Sequence, residues 1–263
     1  MALAEAIGTL AEEPSSTAVL TDFDGTLAPV VLRPEDARPL PGSGALLGAL
    51  ARRFAVVGVV SGRPLAFLEE HLGAVAGIHL AGHYGLERRL PDGSHSLDER
   101  AAATVDLVGA LVSEAAGSAP SGVRVEDKRL SLALHWRGAA GETEATASRW
   151  ARSFADQAIR RGDGRLEAVA GKRTVEVRPA VGAGKGDVVR DLCSRLRRAC
   201  YAGDDAGDVA AFDGLDGLVA SQAIGALRVA VTSDEVPEPL LERADLVVDG
   251  PEGLADFFRR LVA

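Results

Sequence analysis

The chain contains only two cysteines, Cys193 and Cys200, among its 263 residues. Their spacing matches neither a redox C-x-x-C pair nor a zinc-binding pair. We therefore expect both thiols to be buried or incidental, and we expect the protein to work in a reducing compartment.

Long apolar runs and an excess of positive charge are also missing. No apolar run approaches the roughly 20 residues that a helix needs to cross a bilayer. The N-terminal segment carries Glu5, Glu12 and Glu13 and no basic residues, which is not typical of a secretory signal. The formal net charge of -9 disfavours nucleic acid and anionic membranes as partners. We expect a cytoplasmic protein that binds neither, with a monomer as the expected state.

What the sequence does have is a set of short apolar runs that alternate with helical patterns. The runs lie at 18–21, 54–60, 77–81, 198–202, 226–231 and 245–248. The helical patterns lie between them, at 43–53, 64–72, 185–197, 208–218 and 251–262. Runs of this kind are typical of strands buried on both faces of a parallel sheet. The alternation predicts an α/β fold with a Rossmann-like parallel-sheet core.

The middle of the chain has a different pattern. Residues 122–137 and 165–178 alternate apolar and polar positions, and a helical stretch at about 141–161 separates them. Alternation of period two predicts antiparallel hairpins with one covered face. The result is a strand–strand–helix–strand–strand insert, an α+β cap domain. We place the insert at 104–180 and the core at 1–103 and 181–263.

Polar residues stand at the predicted strand ends. Asp22 and Asp24 follow the first strand, Ser61 follows the second and Asp204 follows the fourth, while Lys185 begins a helix after the insert. Ligands of open parallel sheets bind outside the carboxyl ends of the strands. We therefore expect carboxylates, a hydroxyl and an ammonium to converge, as a metal-bound phosphoryl site requires. Each feature alone also has an ordinary explanation, as a turn, a helix cap or a solvated lysine.

Asp22 and Asp24 are two residues apart, so on an extended segment their carboxylates point the same way. They would repel each other unless a cation lies between them or one is protonated. Mg²⁺, which prefers oxygen ligands, is the natural fit, and Asp204 offers a further carboxylate. Asp205 and Asp208 are secondary candidates, since a turn and a helix N-cap explain them equally well.

Three rival motifs each fail at two required positions. An EF-hand calcium loop starting at Asp22 would need glycine and glutamate where Leu27 and Arg33 stand. A Walker A loop around Lys185 would need glycine at Pro179 and Ser or Thr at Gly186. The glycines of a serine nucleophile elbow are absent around Ser61, which better suits a donor to phosphate oxygens.

Four segments in order resemble the four motifs of the haloacid dehalogenase superfamily. They are DFDGTL at 22–27, VVSGR at 59–63, GKGD at 184–187 and GDDAGD at 203–208. The insert lies between the second and third motifs, as in the sugar phosphatases of that superfamily. Three further segments resemble the trehalose-6-phosphate phosphatases in particular: AGHYGLERR at 81–89, EDKRLSLALHWR at 126–137 and KRTVEVRPAVGAGKGDVV at 172–189.

The resemblance implies a role for each strand-end residue. Asp22 would attack phosphorus and form an aspartyl-phosphate. Asp24 would protonate the leaving oxygen and later deprotonate water. Asp22, the backbone carbonyl of Asp24 and Asp204 would hold Mg²⁺. Ser61 and Lys185 would bind the other phosphate oxygens.

For the cap, the resemblance implies that Glu126, Lys128 and Glu176 bind a phosphorylated disaccharide through charge-assisted hydrogen bonds. A solvated strand face is the competing explanation for each. Further substrate-binding candidates are Arg63, His83 and Arg178. One departure concerns the metal: where the family often has Thr-Asp-Glu, this chain has Gly207-Asp208-Val209, so the support of the metal ligands differs.

The function that the resemblance implies is hydrolysis of trehalose 6-phosphate to trehalose and phosphate. The alternative keeps the same core and cap and acts on another sugar phosphate, such as sucrose phosphate or mannosylglycerate phosphate. A phosphomutase is less expected, because nothing in the sequence indicates that a phosphoenzyme is protected from water. A non-catalytic sugar-phosphate sensor would be expected to lack Asp22, Asp24 or Lys185, and all three are present.

Overall fold

The computed structural model describes residues 1–31, 33–171, 173–182, 184–222, 224–233 and 236–263. The chain divides into two compact units. The first comprises Met1–Ser96 and Ala183–Ala263, and the second comprises Leu97–Gly182. The sequence-based division at 1–103, 104–180 and 181–263 differs by a few residues, and the function assigned to each part stays a prediction.

The described residues form twelve strands. In chain order they are β1 (Thr17–Thr21), β2 (Val56–Val60), β3 (His79–Gly82), β4 (Glu87–Arg89), β5 (His95–Leu97), β6 (Arg124–Asp127), β7 (Leu132–His135), β8 (Leu166–Gly171), β9 (Thr174–Pro179), β10 (Arg198–Gly203), β11 (Gly225–Val231) and β12 (Leu246–Val248).

The same part of the chain forms ten α-helices. They are α1 (Leu3–Ala11), α2 (Ser43–Arg53), α3 (Leu65–Leu72), α4 (Glu99–Ala102), α5 (Val105–Ser118), α6 (Gly141–Gly162), α7 (Lys185–Cys193), α8 (Ala206–Gln222), α9 (Glu238–Arg243) and α10 (Gly250–Val262). None of these helices combines the length and the apolar character that crossing a membrane demands.

The larger sheet has the strand order β12-β11-β10-β1-β2-β3-β4-β5 in the described residues. Its strands from β12 to β3 run parallel, and β4 pairs antiparallel with β3. The predicted α/β fold with a parallel-sheet core is therefore confirmed. The sequence analysis missed β4 and β5, because these three-residue strands are short and polar and lack the apolar runs that mark the buried strands.

Helices cover both faces of the parallel strands, so successive residues of a central strand enter different cores. Val19 and Cys200 pack with Phe258 on one face, while Leu20 and Tyr201 pack with Phe212 on the other. Burial on both faces explains the continuous apolar runs in the sequence. The expectation for the thiols is also confirmed, since Cys193 and Cys200 are buried and free.

The second unit contains a four-stranded antiparallel sheet with the order β6-β7-β9-β8. Its apolar face packs against α5 and α6 through residues such as Leu132, Val177 and Phe154. The predicted strand–strand–helix–strand–strand pattern is thus found. The sequence analysis missed α5, although its buried Val108, Leu111 and Ala115 have helical spacing.

Candidate active site

Asp22 lies directly after β1, at the carboxyl edge of the parallel sheet. Its backbone N–H donates to the carbonyl of Ala202 in β10 (2.9 Å), so the extended pairing continues past the end of β1. The residue is 3% exposed. Phe23 then turns into the core and packs edge-to-face on Phe67, with ring centroids 5.5 Å apart. The strand and this aromatic anchor therefore fix the direction of the Asp22 carboxylate.

Lys185 brings positive charge to the same place. Its Nζ is 3.0 Å from Asp22 Oδ1, 2.7 Å from Asp208 Oδ1 and 3.7 Å from Asp205 Oδ1. The residue is 2% exposed, although it is the first residue of α7. The predicted convergence of an ammonium with the strand-end carboxylates is therefore observed.

Two glycines let α7 approach α8 closely enough to bury Lys185. A Cβ on Gly186 would lie 2.3 Å from the carbonyl oxygen of Ala210, and a Cβ on Gly214 would lie 2.6 Å from the carbonyl oxygen of Gly186. Real side chains do not tolerate such contacts. The glycine after Lys185 thus has a packing role, and it is one of the two residues that excluded a Walker A loop in the sequence.

Asp208 is fully buried and accepts four hydrogen bonds. Its Oδ1 accepts from Lys185 Nζ (2.7 Å) and from the Tyr201 hydroxyl (2.6 Å). Its Oδ2 accepts from the backbone N–H groups of Asp204 (2.9 Å) and Asp205 (3.0 Å). Because all four donors point at this one carboxylate, Asp208 holds Lys185 and the loop after β10 together.

Asp204 lies beside Asp22 at the end of β10. The Thr26 hydroxyl donates to Asp204 Oδ1 at 3.0 Å. One carboxylate oxygen from each of Asp22, Asp204 and Asp208 lies within 4.8 Å of the others. Since Asp208 is already occupied by its four donors, Asp22 and Asp204 offer the more available oxygens.

The cluster contains more carboxyl groups than the single ammonium of Lys185 can neutralise. Burial raises the pKa of Asp22 well above its usual value, and the neighbouring carboxylates raise it further against the opposing effect of Lys185. Burial and the charge of Asp208 raise the pKa of Asp204 to about 7. Burial lowers the pKa of Lys185, but Asp208 and Asp22 outweigh it and hold that pKa well above its usual value.

An oxygen-lined, buried site with surplus negative charge fits a hard divalent cation. A dication beside Asp22 and Asp204 would offset the repulsion that raises their pKa values. The donor set contains no sulfur or imidazole ligand among Asp22, Asp204 and Asp208. The residues present therefore fit a metal ion of the type that the sequence predicts.

Asp24 does not share this cluster through its side chain. Its carboxylate accepts two hydrogen bonds from the guanidinium of Arg63, from Nε at 2.7 Å and from Nη2 at 2.6 Å. The guanidinium also stacks over the ring of Phe67, 4.5 Å from its centroid. Arg63, predicted to bind substrate, is thus engaged with the residue predicted to be the general acid.

Ser61 and His83 lie in neighbouring loops of the same unit. Ser61 is 2% exposed, and its Oγ accepts from the backbone N–H of Arg63 at 3.2 Å. This contact leaves the hydroxyl proton of Ser61 to be donated to another group. His83 Nε2 lies 3.6 Å from Glu87 Oε2, and the Leu65 N–H donates to that same oxygen. His83 therefore lies beside a carboxylate of its own unit, and its role in substrate binding stays a prediction.

The predicted sugar-binding residues lie on the polar face of the second unit's sheet. Glu126 and Glu176 both pair with Ala133 across neighbouring strands, so they share that face. Lys128 Nζ is 3.3 Å from Glu176 Oε2. Arg178 pairs instead with Glu167 at 2.8 Å. The structure thus groups Glu126, Lys128 and Glu176 on one surface.

Two further residues hold these carboxylates. The imidazole of His135 lies 2.6 Å from Glu126 Oε2, and the Ser131 hydroxyl donates to Glu176 Oε1 at 2.5 Å. Burial raises the pKa of Glu126, but the His135 hydrogen bond and Lys128 outweigh it and bring that pKa to about 2. Glu126 is consequently a carboxylate at any physiological pH.

Sequence reasoning missed several residues that support the site, namely Thr26, Tyr201, Ser131 and His135. For Tyr201 a signal was available: a phenol in a strand predicted to be buried on both faces needs a hydrogen-bond partner. Thr26 and Ser131 carried no signal, because their partners come from distant segments, and the pairing of His135 with Glu126 depends on the register of β6 and β7. Thr26 and Asp204, for example, are separated by 178 positions.

Gly25 has a backbone conformation and a neighbour that both demand glycine. Its φ is +72°, and a Cβ there would lie 2.0 Å from Asp204 Oδ2. We expect Gly25→Ala to displace the Asp204 carboxylate and to lower metal affinity and the predicted phosphatase activity by about 10- to 100-fold. Calorimetric titration with Mg²⁺ and steady-state assays measure both effects.

Gly42→Ala is the matched control for Gly25→Ala. Gly42 has a φ of +90°, and the space around its missing Cβ is open to 4 Å. Both variants should lose about 1–2 kcal/mol of stability from the positive φ, but Gly42→Ala should keep metal affinity and activity. Equal metal affinity in the two variants would contradict the placement of Asp204.

Comparison with protein families supports the predicted resemblance. The family model described as trehalose-phosphatase matches residues 20–239. A trehalose-phosphate phosphatase of Mycobacterium avium (strain 104) is 35% identical over 254 residues. This alignment covers 93% of the chain but 61% of the relative, so the chain spans less than two thirds of the length of that protein.

Solved structures agree on the fold. A protein described as related to trehalose-6-phosphate phosphatase has a TM-score of 0.76 at 24% identity, with 93% of this chain and 96% of that chain covered. The C-terminal domain of trehalose-6-phosphate phosphatase from C. albicans has a TM-score of 0.74 at 21% identity, with coverage of 98% and 96%. The resemblance predicted from the four motifs is thereby confirmed.

Proposed function

The chain belongs to the trehalose-phosphatase family, and from that premise we propose that it hydrolyses trehalose 6-phosphate to trehalose and phosphate. One observation carries the proposal: the buried Asp22 carboxylate lies 3.0 Å from the Lys185 ammonium, at a strand end beside Asp204. A nucleophile, a phosphate-binding cation and a metal ligand are therefore within reach of one phosphoryl group.

In the first proposed step, a carboxylate oxygen of Asp22 attacks phosphorus and the bond from phosphorus to the sugar oxygen breaks. Asp24 gives its proton to that oxygen, so the sugar leaves as an alcohol. Lys185 and Ser61 donate hydrogen bonds to the phosphoryl oxygens that do not transfer. Their contribution is largest where charge develops on those oxygens in the transition state.

In the second proposed step, water hydrolyses the aspartyl-phosphate. The Asp24 carboxylate takes a proton from the attacking water, and the acyl–phosphate bond breaks to release phosphate and restore the Asp22 carboxylate. One residue thus acts first as an acid and then as a base. Each turnover consumes one water and leaves both aspartates as they began.

We propose Mg²⁺ as the metal. The carboxylates of Asp22 and Asp204 would hold it together with the backbone carbonyl of Asp24. When bound, it supplies charge neutralisation for the phosphoryl group. Asp208 and Asp205 assist from the neighbouring positions: Asp208 fixes Lys185, and the exposed Asp205 lies 3.7 Å from the same ammonium. The surplus of carboxylates around Asp22 supports this choice of a dication.

Arg63 has to exchange partners during this cycle. Both oxygens of the Asp24 carboxylate accept from the Arg63 guanidinium, so this contact holds the side chain that has to reach the leaving oxygen. We propose that the Arg63 contact with Asp24 opens when the phosphorylated substrate arrives. Arg63 then binds the substrate, as the sequence resemblance implies, while Asp24 faces the leaving oxygen.

For the sugar, we propose that Glu126, Lys128 and Glu176 form hydrogen bonds to the disaccharide hydroxyls. Their grouping on one polar sheet face supports this role, with His83 and Arg178 as secondary candidates. Charged groups that are already oriented by partners lose little entropy when they bind a ligand. Sucrose phosphate and mannosylglycerate phosphate are the alternative substrates that keep this chemistry.

A panel of phosphate esters tests the proposal directly. Phosphate release is measured with Mg²⁺ and with EDTA, on trehalose 6-phosphate, sucrose phosphate, mannosylglycerate phosphate and p-nitrophenyl phosphate. We expect kcat/KM to be highest for trehalose 6-phosphate and turnover to require the metal. A different preferred sugar would overturn the substrate, whereas phosphate release that persists in EDTA would overturn the metal.

Lys128→Ala should separate sugar binding from chemistry. We expect KM for trehalose 6-phosphate to rise about tenfold or more, because a charge-assisted hydrogen bond is lost, with little change for p-nitrophenyl phosphate. Arg149→Ala is the control, since it removes a positive charge from the exposed side of α6 in the same unit. Equal KM changes for the two esters would count against the sugar-binding role of Lys128.

We also propose a cytoplasmic, monomeric enzyme with a small phosphorylated sugar as its partner. The net charge of -9 supports the absence of nucleic-acid and membrane partners, since like charges repel. The two buried free thiols support a reducing compartment. Light scattering of the purified protein measures the oligomeric state.

A further inference from the structure

Tyr201 is a buried residue of β10 that contacts Asp208, the carboxylate that holds the proposed phosphate-binding residue Lys185. Its hydroxyl donates to Asp208 Oδ1 at 2.6 Å, and the same oxygen accepts from Lys185 Nζ at 2.7 Å. The ring is fully buried and packs edge-to-face on Phe212, with centroids 6.5 Å apart. Packing therefore fixes where the phenol points.

Asp208 itself has little freedom to move. A Cβ on Gly203 would lie 2.2 Å from Asp208 Cγ, which shows how closely β10 approaches the carboxylate. Two backbone N–H groups, from Asp204 and Asp205, hold the other oxygen. The Tyr201 hydroxyl is thus the side-chain donor that competes with Lys185 for Oδ1.

The residues next to Asp208 in the sequence have no side chain that could donate a hydrogen bond to its carboxylate. Gly207 has no side chain, and Val209 offers only an apolar one that packs with the core. Among the described residues, the side chains hydrogen-bonded to the Asp208 carboxylate are those of Tyr201 and Lys185. Support for the carboxylate therefore comes from the strand rather than from the helix that carries it.

We propose that Tyr201 is a positioning residue for the phosphoryl group, acting through Asp208 on Lys185. With the phenol in place, Asp208 Oδ1 is shared, and the ammonium also stays within 3.0 Å of Asp22. Without it, the carboxylate has one donor fewer and draws the ammonium towards itself. Lys185 is then less available to phosphate oxygens. This inference rests on the proposed phosphatase function.

The test is Tyr201→Phe in the full chain, which removes one oxygen and keeps the buried ring. Binding of inorganic phosphate in the presence of Mg²⁺ is measured by calorimetry, because it reports on the phosphoryl site without turnover. We expect the dissociation constant to rise about tenfold. In steady-state assays, kcat/KM should fall about tenfold for trehalose 6-phosphate and p-nitrophenyl phosphate alike, since both present the same phosphoryl group to Lys185.

Thr17→Val is the matched control. Thr17 is a fully buried residue at the other end of the same sheet, and its hydroxyl donates to the carbonyl of Glu13 at 2.7 Å. This variant also loses a buried hydrogen bond, so its thermal stability should fall, but phosphate affinity and kcat/KM should stay at wild-type values.

The outcomes separate the inference from the proposed function. Phosphate affinity of Tyr201→Phe within twofold of wild type, or an equal loss in Thr17→Val, would overturn the positioning role. A wild-type protein that binds phosphate but hydrolyses neither ester would overturn the phosphatase function, and the phosphate titration would still decide on Tyr201. A wild-type protein that fails to bind phosphate with Mg²⁺ would overturn both.

Discussion

Replacing Asp22 by asparagine should lower kcat for trehalose 6-phosphate by at least about 10⁴-fold, because a single member of a catalytic unit can account for most of its rate enhancement. The amide has nearly the shape of the carboxylate but carries no charge, so it cannot form the aspartyl-phosphate. Substrate affinity should fall less than turnover, since Lys185 and the proposed sugar-binding residues of the second unit remain. The measurement is a steady-state assay with Mg²⁺.

The same variant should be at least as stable as the wild type in EDTA near neutral pH. Burial raises the pKa of Asp22 in the folded state, so its stabilising protonated form is lost as the pH rises through that pKa. At any pH above the unfolded-state pKa, the wild type must either bury the charge or take up a proton when it folds, and asparagine avoids this cost. The loss of the ion pair with Lys185 opposes the gain, but the direction of the pKa shift shows which effect is larger.

Mg²⁺ should reverse the order of stability. A ligand that binds only the folded state stabilises it, and Asp22 is a proposed ligand, so the metal should raise the melting temperature of the wild type more than that of Asp22→Asn. Asp92→Asn, in the exposed turn between β4 and β5, is the control and should behave as wild type. Near-normal turnover in Asp22→Asn would contradict covalent catalysis by this residue.

The position of the candidate site was predictable because the sheet is parallel. Thr21 pairs with Ala202 on one side and with Val59 on the other, so the residues that follow these strands emerge at one edge. Short apolar runs that stop at polar residues therefore carry enough information to bring Asp22 and Asp204 together. A parallel core needs only the strand order and ends for this inference.

The direction of the Asp24 side chain was not predictable. Period two suggested that Asp22 and Asp24 would face one cation, but Gly25 in a left-handed conformation ends the extended segment. Asp24 then pairs with Arg63, 39 positions later in the chain. Such a pairing depends on how two loops pack, which no local pattern encodes.

Composition contained a signal that the motifs alone did not use. Of the 29 basic residues, only Lys128, Lys172 and Lys185 are lysines. Where arginine is the usual cation, a lysine suggests a need for a compact point charge. Lys128 is a proposed sugar-binding residue and Lys185 a proposed phosphate-binding residue, whereas Lys172 falls outside the described residues. Contacts such as that of Tyr201 with Asp208 remained hidden, because a strand pattern shows burial but not partners.

Lys185→Met should abolish phosphate binding and destabilise the first unit. The substitution keeps the length of the side chain but removes the cation shared by Asp22 and Asp208, and breaking a buried ion pair on one side costs about 3–5 kcal/mol. Arg190→Met, on the exposed side of α7, is the control that removes a charge from the same helix. Calorimetric phosphate titration and thermal denaturation measure the two effects. Retained phosphate affinity would contradict the proposed role.

The stability loss of Lys185→Met should depend on pH. Lys185 lowers the pKa values of Asp22 and Asp208, so its removal raises them further in the folded state. A carboxyl whose folded-state pKa is raised stabilises the protein at low pH and loses that contribution as the pH rises. In EDTA, the difference in melting temperature from the wild type should be smaller at about pH 5 than at about pH 8. A difference that grows on acidification would contradict the buried charge cluster.

The double variant Lys185→Met with Asp22→Asn distinguishes charge balance from packing. If the lysine stabilises the fold by neutralising carboxylates, removing one carboxylate should recover part of the stability that Lys185→Met loses, while Asp208 keeps Tyr201 and two backbone donors. The two substitutions should therefore be non-additive in stability. Both single variants and the double variant should be inactive. Asp22→Asn lacks the nucleophile, Lys185→Met lacks the phosphate-binding cation, and the double variant lacks both. A double variant less stable than Lys185→Met would show that Asp22 supports the fold through its shape and hydrogen bonds rather than its charge.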